Sequence, residues 1–532
     1  MLRLPRLALP LVLAACAATH GPSPDGGAPV PDAGPRTHDD GPRRDGGALP
    51  GPLCARAAAA SPLGLIAMAR AGRDLLALGA GGELRPVHRL FGERALRGEL
   101  TWRGWQATRA TVVALASAEP ECGRPSCPRL GEVVLLDAAA GTHVFEVEEA
   151  ADGGPFLAAL SEDGLPVVSV RETARGESVM LALDPVDGGS RAFPPEVRSY
   201  GGEGPDEDGW RPVRIVTPDP SMVVPAFARL GDESAVPVPG GVPAARTWGA
   251  AWVFLDASTG DLVVARSGGS ERRIPLGPGS GGWHLQRVAA DHAELWRFRE
   301  PVALVDLARE TRIDLPSLLA PGDDLGQAHS RFGTATYVAS GSSRRVLRVA
   351  LATGDVAATE LPADARPFVT ASYCGSPPLP LADGRFAVAL RRAGGISGAY
   401  VEQVGGALAL VGRPLHDVLH ARLERFSETW VIQGVSGNNT FCPHRAPWPE
   451  PAPDDALLLD SIQLVRGEVS LALEDGEHLL HVDPTGTCAL RASVAAGVPV
   501  AFDLVDLERG ERAEIERADS LLGVPPVWFT PF

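Results

Sequence analysis

The chain has 532 residues and contains no lysine, so all 49 of its basic residues are arginine. A catalytic Schiff base, a serine–lysine dyad and the phosphate-binding lysine of a P-loop are therefore excluded, because each requires a side-chain amine. Acidic residues outnumber the arginines at 66, which gives a net charge of −17. This excess argues against a nucleic-acid partner, because nucleic-acid binding depends on the neutralisation of phosphates.

Other common patterns are also missing from the sequence. It has no GxSxG nucleophile elbow and no CxxC pair, and few segments keep helical periodicity over three turns. It has 61 glycines and 49 prolines, together about a fifth of the chain, against roughly 12% in ordinary proteins. With 45% hydrophobic residues to form a core, this composition predicts an all-β chain of many short strands joined by turns.

The first residues have the features of a secretory signal. Arg3 and Arg6 precede an apolar run, Leu7 to Leu13, that is too short to cross a bilayer. The run ends in Leu-Ala-Ala-Cys16, which resembles the lipobox of bacterial lipoproteins. The resemblance implies cleavage before Cys16, acylation of that residue and anchoring by its acyl chains. The alternative is ordinary secretion with cleavage elsewhere.

The segment after Cys16 predicts a flexible tether. Ala17 follows the cysteine where aspartate would mark retention at the inner membrane, so the lipoprotein resemblance implies the outer membrane. Sixteen of the 37 residues from 17 to 53 are glycine or proline, and such a segment cannot bury enough apolar surface to fold. We therefore divide the chain into a signal peptide (1–15), an acylated cysteine with its tether (16–53) and a folded domain (54–532).

Six further cysteines indicate disulfides in an exported chain. They are Cys54, Cys122, Cys127, Cys374, Cys442 and Cys488, and six cysteines allow fifteen pairings. Cys122 and Cys127 flank a turn short enough for a local bridge, and Cys54 with Cys488 would join the two ends of the folded domain. Cys374 and Cys442 remain as a pair by choice alone. A zinc site is the alternative, although CxxC spacing is missing.

One hairpin pattern recurs along the folded domain. An apolar strand ends in aspartate and leads through a turn with glycine into a second strand, as at 133–141, 180–188 and 252–260. The turns centre on positions 82, 141, 188, 260, 310, 354, 405 and 486, and four of their seven intervals match one four-stranded propeller blade. The spacing predicts a β-propeller of seven blades, with eight as the alternative. Two separate β domains form the competing fold.

These hairpins resemble those of exported bacterial β-propeller proteins, particularly quinoprotein-like and WD-repeat-like ones. The resemblance covers roughly residues 60–515 and implies a propeller. Because such proteins bind, scaffold and catalyse alike, it does not select a function.

Two histidine pairs are weak candidates for a metal site. His416 and His420 have the i, i+4 spacing of a zinc-protease helix, but Asp417 replaces the usual glutamate, and the neighbouring glycine and proline favour a loop. His478 and His481 stand three apart, which on a regular strand directs them to opposite faces. We therefore predict no metal and no cofactor.

The segment 277–282 matches GxGxxG. A dinucleotide site requires a helix after this motif, whereas the following residues alternate like strands, so we predict a loop between blades.

Two cysteine-containing loops suggest a recognition surface. Tyr373 adjoins Cys374, and Phe441, His444 and Trp448 surround Cys442. If the two cysteines pair, these side chains would lie together on one face of the ring. The alternative is two stapled loops with only a structural role.

Together these features predict a monomeric, membrane-anchored propeller in the cell envelope. We expect it to be a non-catalytic binding or scaffolding module for a protein, peptide or glycan. The alternative is an extracytoplasmic hydrolase or metal-assisted enzyme with its residues on blade loops. A purely structural envelope protein is a third alternative.

Overall fold

A computed structural model describes residues 51–522 apart from 122–128, 149–155, 172–177, 316–328, 368–376, 416–419, 436–461 and other gaps of up to five residues. The described part belongs to one compact unit, Gly51–Phe532. It contains one α-helix, α1 (Ala55–Ala60), and two 3₁₀ turns, Ser267–Gly269 and Ser280–Gly282. No helix among these residues is both long enough and apolar enough to cross a membrane.

Forty-one strands form ten separate antiparallel sheets, which we call blades 1 to 10. Blade 1 contains β1 (Ala67–Ala71), β2 (Asp74–Leu78), β3 (Leu84–Arg89) and, from the other end of the chain, β41 (Ser520–Leu522). Blades 2 and 3 contain β4 (Thr101–Ala107), β5 (Thr111–Ala118), β6 (Leu130–Asp137), β7 (Gly141–Glu148), β8 (Phe156–Leu160), β9 (Pro166–Arg171), β10 (Ser178–Leu183) and β11 (Ser190–Ala192). Blades 4 and 5 contain β12 (Val197–Tyr200), β13 (Arg211–Val216), β14 (Val223–Ala228), β15 (Val236–Pro237), β16 (Arg246–Trp248), β17 (Ala251–Leu255), β18 (Leu262–Ala265) and β19 (Glu271–Ile274).

Blades 6 and 7 contain β20 (His284–Ala289), β21 (His292–Arg297), β22 (Glu300–Asp306), β23 (Thr311–Asp314), β24 (His329–Phe332), β25 (Thr336–Ser340), β26 (Arg345–Ala350) and β27 (Val356–Glu360). Blade 8 has five strands, β28 (Ala365–Pro367), β29 (Leu379–Pro380), β30 (Phe386–Arg392), β31 (Ser397–Glu402) and β32 (Leu408–Leu415). Blades 9 and 10 contain β33 (His420–Phe426), β34 (Thr429–Val435), β35 (Ile462–Arg466), β36 (Val469–Ala472), β37 (Glu477–Val482), β38 (Cys488–Ala495), β39 (Val498–Asp506) and β40 (Glu511–Glu514).

The first strand of each blade lies at the centre of the ring. We label the strands of a blade A to D in sheet order; in blade 8 the A strand is split into β28 and β29, which both pair with β30. The A strands of neighbouring blades contact one another, as β4 does with β8, β8 with β12 and β16 with β20. These A strands are the inner strands, and the D strands form the outer edge.

Ten apolar clusters join consecutive blades and close the ring. Each cluster combines buried residues from two neighbouring sheets, from blades 1 and 2 onwards around the molecule. The closing cluster packs Ala67 and Leu78 of blade 1 against Leu490 and Phe502 of blade 10. Because every blade is held by apolar burial on both faces, the sheets form one β-propeller.

The propeller prediction is confirmed, but the predicted count of seven or eight blades is wrong. The C–D turns of blades 4 and 9 contain Gly231 and Gly467 without the strand–Asp pattern, so the search for that pattern missed both blades. Gly260 lies instead in the B–C turn of blade 5, and Gly486 lies in the A–B turn of blade 10. The long intervals in the turn spacing therefore contained complete blades.

The recurring aspartate builds its turn by accepting backbone hydrogen bonds. Asp137 Oδ1 accepts the N–H groups of Ala139 and Ala140 at 2.9 and 2.8 Å, and Oδ2 accepts the Thr111 hydroxyl at 2.7 Å. The Thr111 hydrogen bond, with these N–H groups, lowers the pKa of Asp137. Gly141 completes the turn at φ +86°, a conformation that favours glycine.

The two ends of the domain are fastened together at blade 10. Cys54 forms a disulfide with Cys488 across 434 residues, as predicted. The Cys54 N–H also donates to Asp506 Oδ2 at 3.0 Å, and Arg56 pairs with Glu508 at 2.9 Å. With β41 paired to β1, the ring is closed by both strand exchange and a covalent bond.

Candidate functional site

The two rims of the ring differ in the length of their connections. B–C and D–A connections leave one end of the strands, and A–B and C–D connections leave the other. The first rim carries connections of 26 residues (436–461), 14 residues (315–328) and 11 residues (119–129 and 90–100). On the second rim the longest connection has ten residues (201–210), and the rest have seven or fewer. We call them the long-loop rim and the short-turn rim.

Most residues predicted for a site lie outside the described part of the chain. This holds for Cys16, Cys122, Cys127, Tyr373, Cys374, His416, Phe441, Cys442, His444 and Trp448. His420 begins β33, and its side chain is outside the described residues as well. The predicted lipidation, the other two disulfides and the recognition residues therefore stay predictions.

Topology nevertheless places the two cysteine-containing segments on neighbouring blades. The segment with Tyr373 and Cys374 lies between β28 and β29, within the split inner strand of blade 8. The segment with Phe441 and Cys442 joins β34 to β35 in blade 9 and leaves at the long-loop rim. Adjacent blades carry both segments, although 68 residues separate the two cysteines in the chain.

An ion pair on the inner strands spans the split blade. Arg331 on β24 of blade 7 donates two hydrogen bonds to Glu424 on β33 of blade 9, at 3.1 and 2.7 Å. Both side chains are mostly buried. Such a two-bond arginine–carboxylate pair fixes both groups in one orientation. It links blades 7 and 9 directly, past the interrupted strand of blade 8.

A small cavity adjoins this ion pair. Its lining includes Glu424, Phe426, Leu480 and His481, and its volume is about 20 Å³, room for one water molecule. Burial lowers the pKa of His481 to about 4, so its imidazole is neutral at pH 7. His481 Nδ1 has no hydrogen-bond partner among the described residues. The cavity can hold a water between a neutral imidazole and a carboxylate but not a larger ligand.

A fully buried glutamate forms a second polar cluster, between blades 6 and 7. Glu294 accepts hydrogen bonds from Arg287 Nε at 2.7 Å and from Tyr337 Oη at 2.8 Å, as well as from the Ser330 hydroxyl. Burial, together with the Glu294 charge, raises the pKa of Tyr337 well above its ordinary value. Because both carboxylate oxygens already have partners, the cluster acts as an interblade clasp.

Two further buried carboxylates repeat this arrangement. Glu132 accepts the Phe91 N–H at 2.8 Å and pairs with His88, which links blades 1 and 2. Glu402 accepts Arg348 at 2.8 Å and Thr359 at 3.0 Å, between blades 7 and 8. The sequence analysis missed all three glutamates, although each stands within or at the end of an apolar strand.

The described residues contain no group of three or more histidine, cysteine or acidic side chains placed to hold a metal ion. The predicted GxGxxG loop is confirmed as a connection between blades, since Ser280–Gly282 lies between β19 and β20. The buried charges that are described hold blades together. The exposed surface of the long-loop rim is therefore the better candidate for function.

No family model and no curated protein matches the chain. Among solved structures it is similar to the dihydro-heme d1 dehydrogenase NirN, with 14% identity, 87% of this chain and 76% of that chain covered, and a TM-score of 0.31. It is also similar to the β-propeller domain of the Trilobed protease from Pyrococcus furiosus (9% identity, 71% and 96% covered, TM-score 0.29). BamB from Moraxella catarrhalis gives 14% identity, 69% and 96% is replaced there by 92%, and a TM-score of 0.24. At these values the neighbours, enzymes and others alike, carry no information on function.

Proposed function

We propose that the protein is a membrane-tethered lipoprotein whose propeller binds a protein, peptide or glycan through the long-loop rim. The observation that carries this proposal is the concentration of the four longest connections on that rim. Long connections on a rigid scaffold are where binding residues are most often found. The short-turn rim, by contrast, consists mainly of tight turns with little surface to vary.

Exposed apolar side chains support the choice of rim. Phe156, Met222 and Phe298 lie at strand ends on the long-loop rim, and their exposed fractions are 51%, 47% and 87%. Phe298 also holds a φ of +57°, which is unusual for a bulky residue. Exposed aromatic and methionine side chains are typical of binding surfaces.

The attachment of the chain to the ring agrees with this orientation. Cys54 and Arg56 contact Cys488, Asp506 and Glu508, which all lie at the short-turn rim of blade 10. The segment that precedes the propeller therefore joins it on the rim opposite the proposed binding surface. A tether attached there leaves the long-loop rim accessible.

The anchor is tested by labelling cells with an alkyne-bearing fatty acid. We expect the wild-type chain to take up the label and to fractionate with outer membranes, and Cys16→Ser to lose both properties. Export of an unlabelled wild-type chain would refute the lipoprotein assignment and leave the binding proposal untouched.

The binding surface is tested by capture from envelope extracts with the mature protein as bait. We expect Phe156→Ser/Phe298→Ser to lose partners that the wild type retains. The matched control is Val186→Ser/Val404→Ser, which removes two side chains of 89% and 94% exposure from the short-turn rim. Equal capture by both double variants would contradict the assignment of the rim.

A further inference from the structure

Arginine is distributed unevenly across the blades. The inner strands carry eight arginines and only two carboxylates, whereas the outer strands carry eight arginines and seven carboxylates. The inner arginines are Arg103, Arg198, Arg246, Arg287, Arg331, Arg366, Arg422 and Arg425. The strands around the central channel are thus strongly basic in a chain whose net charge is −17.

Both inner carboxylates are already neutralised by arginine. Glu424 is held by two hydrogen bonds from Arg331. Glu477 pairs with Arg491 of the neighbouring B strand, which also binds Asp503 at 2.8 Å. Neither carboxylate is therefore available to offset the remaining positive charge of the channel.

The basic residues recur at one level of the channel. In each of blades 4 to 10, one of the first two residues of the inner strand is arginine or histidine. These residues, which we call the mouth girdle, are Arg198, Arg246, His284, His329, Arg366, His420 and His478. Arginine and histidine together make up about 11% of the chain, so chance would place one or two in these fourteen positions. Because inner strands begin after D–A connections, the girdle surrounds the channel mouth at the long-loop rim.

The described members of the girdle mostly face solvent. Arg198, Arg246, His284 and His478 are exposed, and His329 is half-buried. Arg198 Nη1 donates to the Pro195 carbonyl at 2.6 Å, which steadies its guanidinium in place.

Arg246 has no ion-pair partner within the described part of the chain. Its charge, after burial, helps to lower the pKa of nearby Arg214. Two arginines therefore lie close together on blades 4 and 5 with no carboxylate between them, which is a site where an anion would be stabilised.

We propose that the mouth girdle, with one arginine or histidine on each of seven consecutive blades, binds a multivalent anion that carries phosphate or carboxylate groups. Guanidinium groups pair with both kinds of anion through two parallel hydrogen bonds. Groups spread over several blades favour a ligand with several charges over a single small ion. This site is separate from the apolar surface proposed above and does not depend on it.

The test is calorimetric titration of the purified full-length mature protein with inorganic tripolyphosphate and, in a second arm, with citrate. Both titrations are run in 150 mM NaCl, which screens weak surface attraction. We expect saturable binding of one of the two anions, weakened at least tenfold in Arg198→Gln/Arg246→Gln. The arm that binds distinguishes a phosphate ligand from a carboxylate ligand.

A matched control removes the same charge from outer strands. Arg191→Gln/Arg273→Gln replaces two exposed arginines on β11 and β19, which pair with Asp184 and Asp256, and should keep wild-type affinity. Arg198→Lys/Arg246→Lys keeps the charge and should bind more tightly than the glutamine pair, so a folding defect in that pair would not decide the outcome. Absence of binding to both anions, or an equal loss in the control, would overturn the proposal.

Discussion

Glu294 illustrates how single buried charges are used in this protein. It is completely buried, and burial of a carboxylate is unfavourable unless charge and hydrogen bonds compensate it. Arg287, Ser330 and Tyr337 supply that compensation from both sides of the boundary between blades 6 and 7. A charge of this kind specifies which surfaces meet, because a mismatched neighbour would leave it without partners.

We expect Glu294→Ala to lower the free energy of unfolding by about 3 kcal/mol, because the change leaves Arg287 unpaired at a buried boundary. Chemical denaturation monitored by tryptophan fluorescence measures the difference. The control is Glu360→Ala, which removes the exposed partner of Arg345 and should cost less than about 1 kcal/mol. Similar losses in both variants would contradict the role given to Glu294.

Buried histidines make the fold sensitive to acid. Burial lowers the pKa of His481 to about 4 and also lowers the pKa values of His329 and His292, whereas an unfolded histidine titrates near 6.5. Between pH 6.5 and 4 the unfolded chain therefore binds more protons, and the free energy of unfolding falls as the pH falls.

We expect His481→Gln to remove up to about 3 kcal/mol of this loss between pH 6.5 and 4. The measurement is the thermal unfolding midpoint at a series of pH values in that window. A variant whose midpoint falls with acid as steeply as that of the wild type would show that His481 is not responsible.

At the scale of elements, turns set the spacing of strands, and some turns are also packed against the next blade. Gly486, in the A–B turn of blade 10, has a φ of +65°, and a Cβ atom there would lie 2.0 Å from the Phe426 carbonyl oxygen of blade 9. Glycine is thus required both by the backbone conformation and by the close approach of the neighbouring blade.

We expect Gly486→Ala to destabilise the protein by more than about 2 kcal/mol, the cost of the left-handed conformation plus a steric clash. Gly405→Ala is the matched control, because its φ is +99° and no atom lies within 4 Å of its added Cβ; it should cost about 1 kcal/mol. Thermal unfolding of the two variants side by side measures the difference. Equal midpoints would show that blade 9 does not constrain this turn.

At the scale of the whole molecule, the closure of the ring joins residues from opposite ends of the chain. The closing contacts are the pairing of β41 with β1 and the disulfide between Cys54 and Cys488. A crosslink across 434 residues restricts the unfolded chain strongly, and native disulfides commonly contribute about 2–5 kcal/mol.

We expect Cys54→Ser/Cys488→Ser to lower the thermal unfolding midpoint, and reductant to produce the same shift in the wild type. Reductant should have less effect on the double variant, which leaves only the unassigned cysteines to respond. A wild-type midpoint that does not change on reduction would show that the disulfide is not needed to keep the ring closed.

The strand-and-turn pattern could be read from the sequence because it is local. Alternating apolar residues and an aspartate a few positions before glycine determine a hairpin without reference to the rest of the chain. The pattern failed at Gly231 and Gly467, where other turn residues perform the same task. Two blades were missed for that reason, and the inner-strand basic residues could not be recognised until the blades were aligned.

The sequence alone determined that this protein is all-β, that its hairpins repeat as propeller blades and that Cys54 pairs with Cys488. Tertiary structure alone decided that there are ten blades, that Arg331 meets Glu424 across blade 8, and that arginine and histidine gather at the channel mouth. The physical reason is the range of the interactions. A turn is fixed by neighbouring residues, whereas the number of blades depends on how ten sheets pack around a common axis.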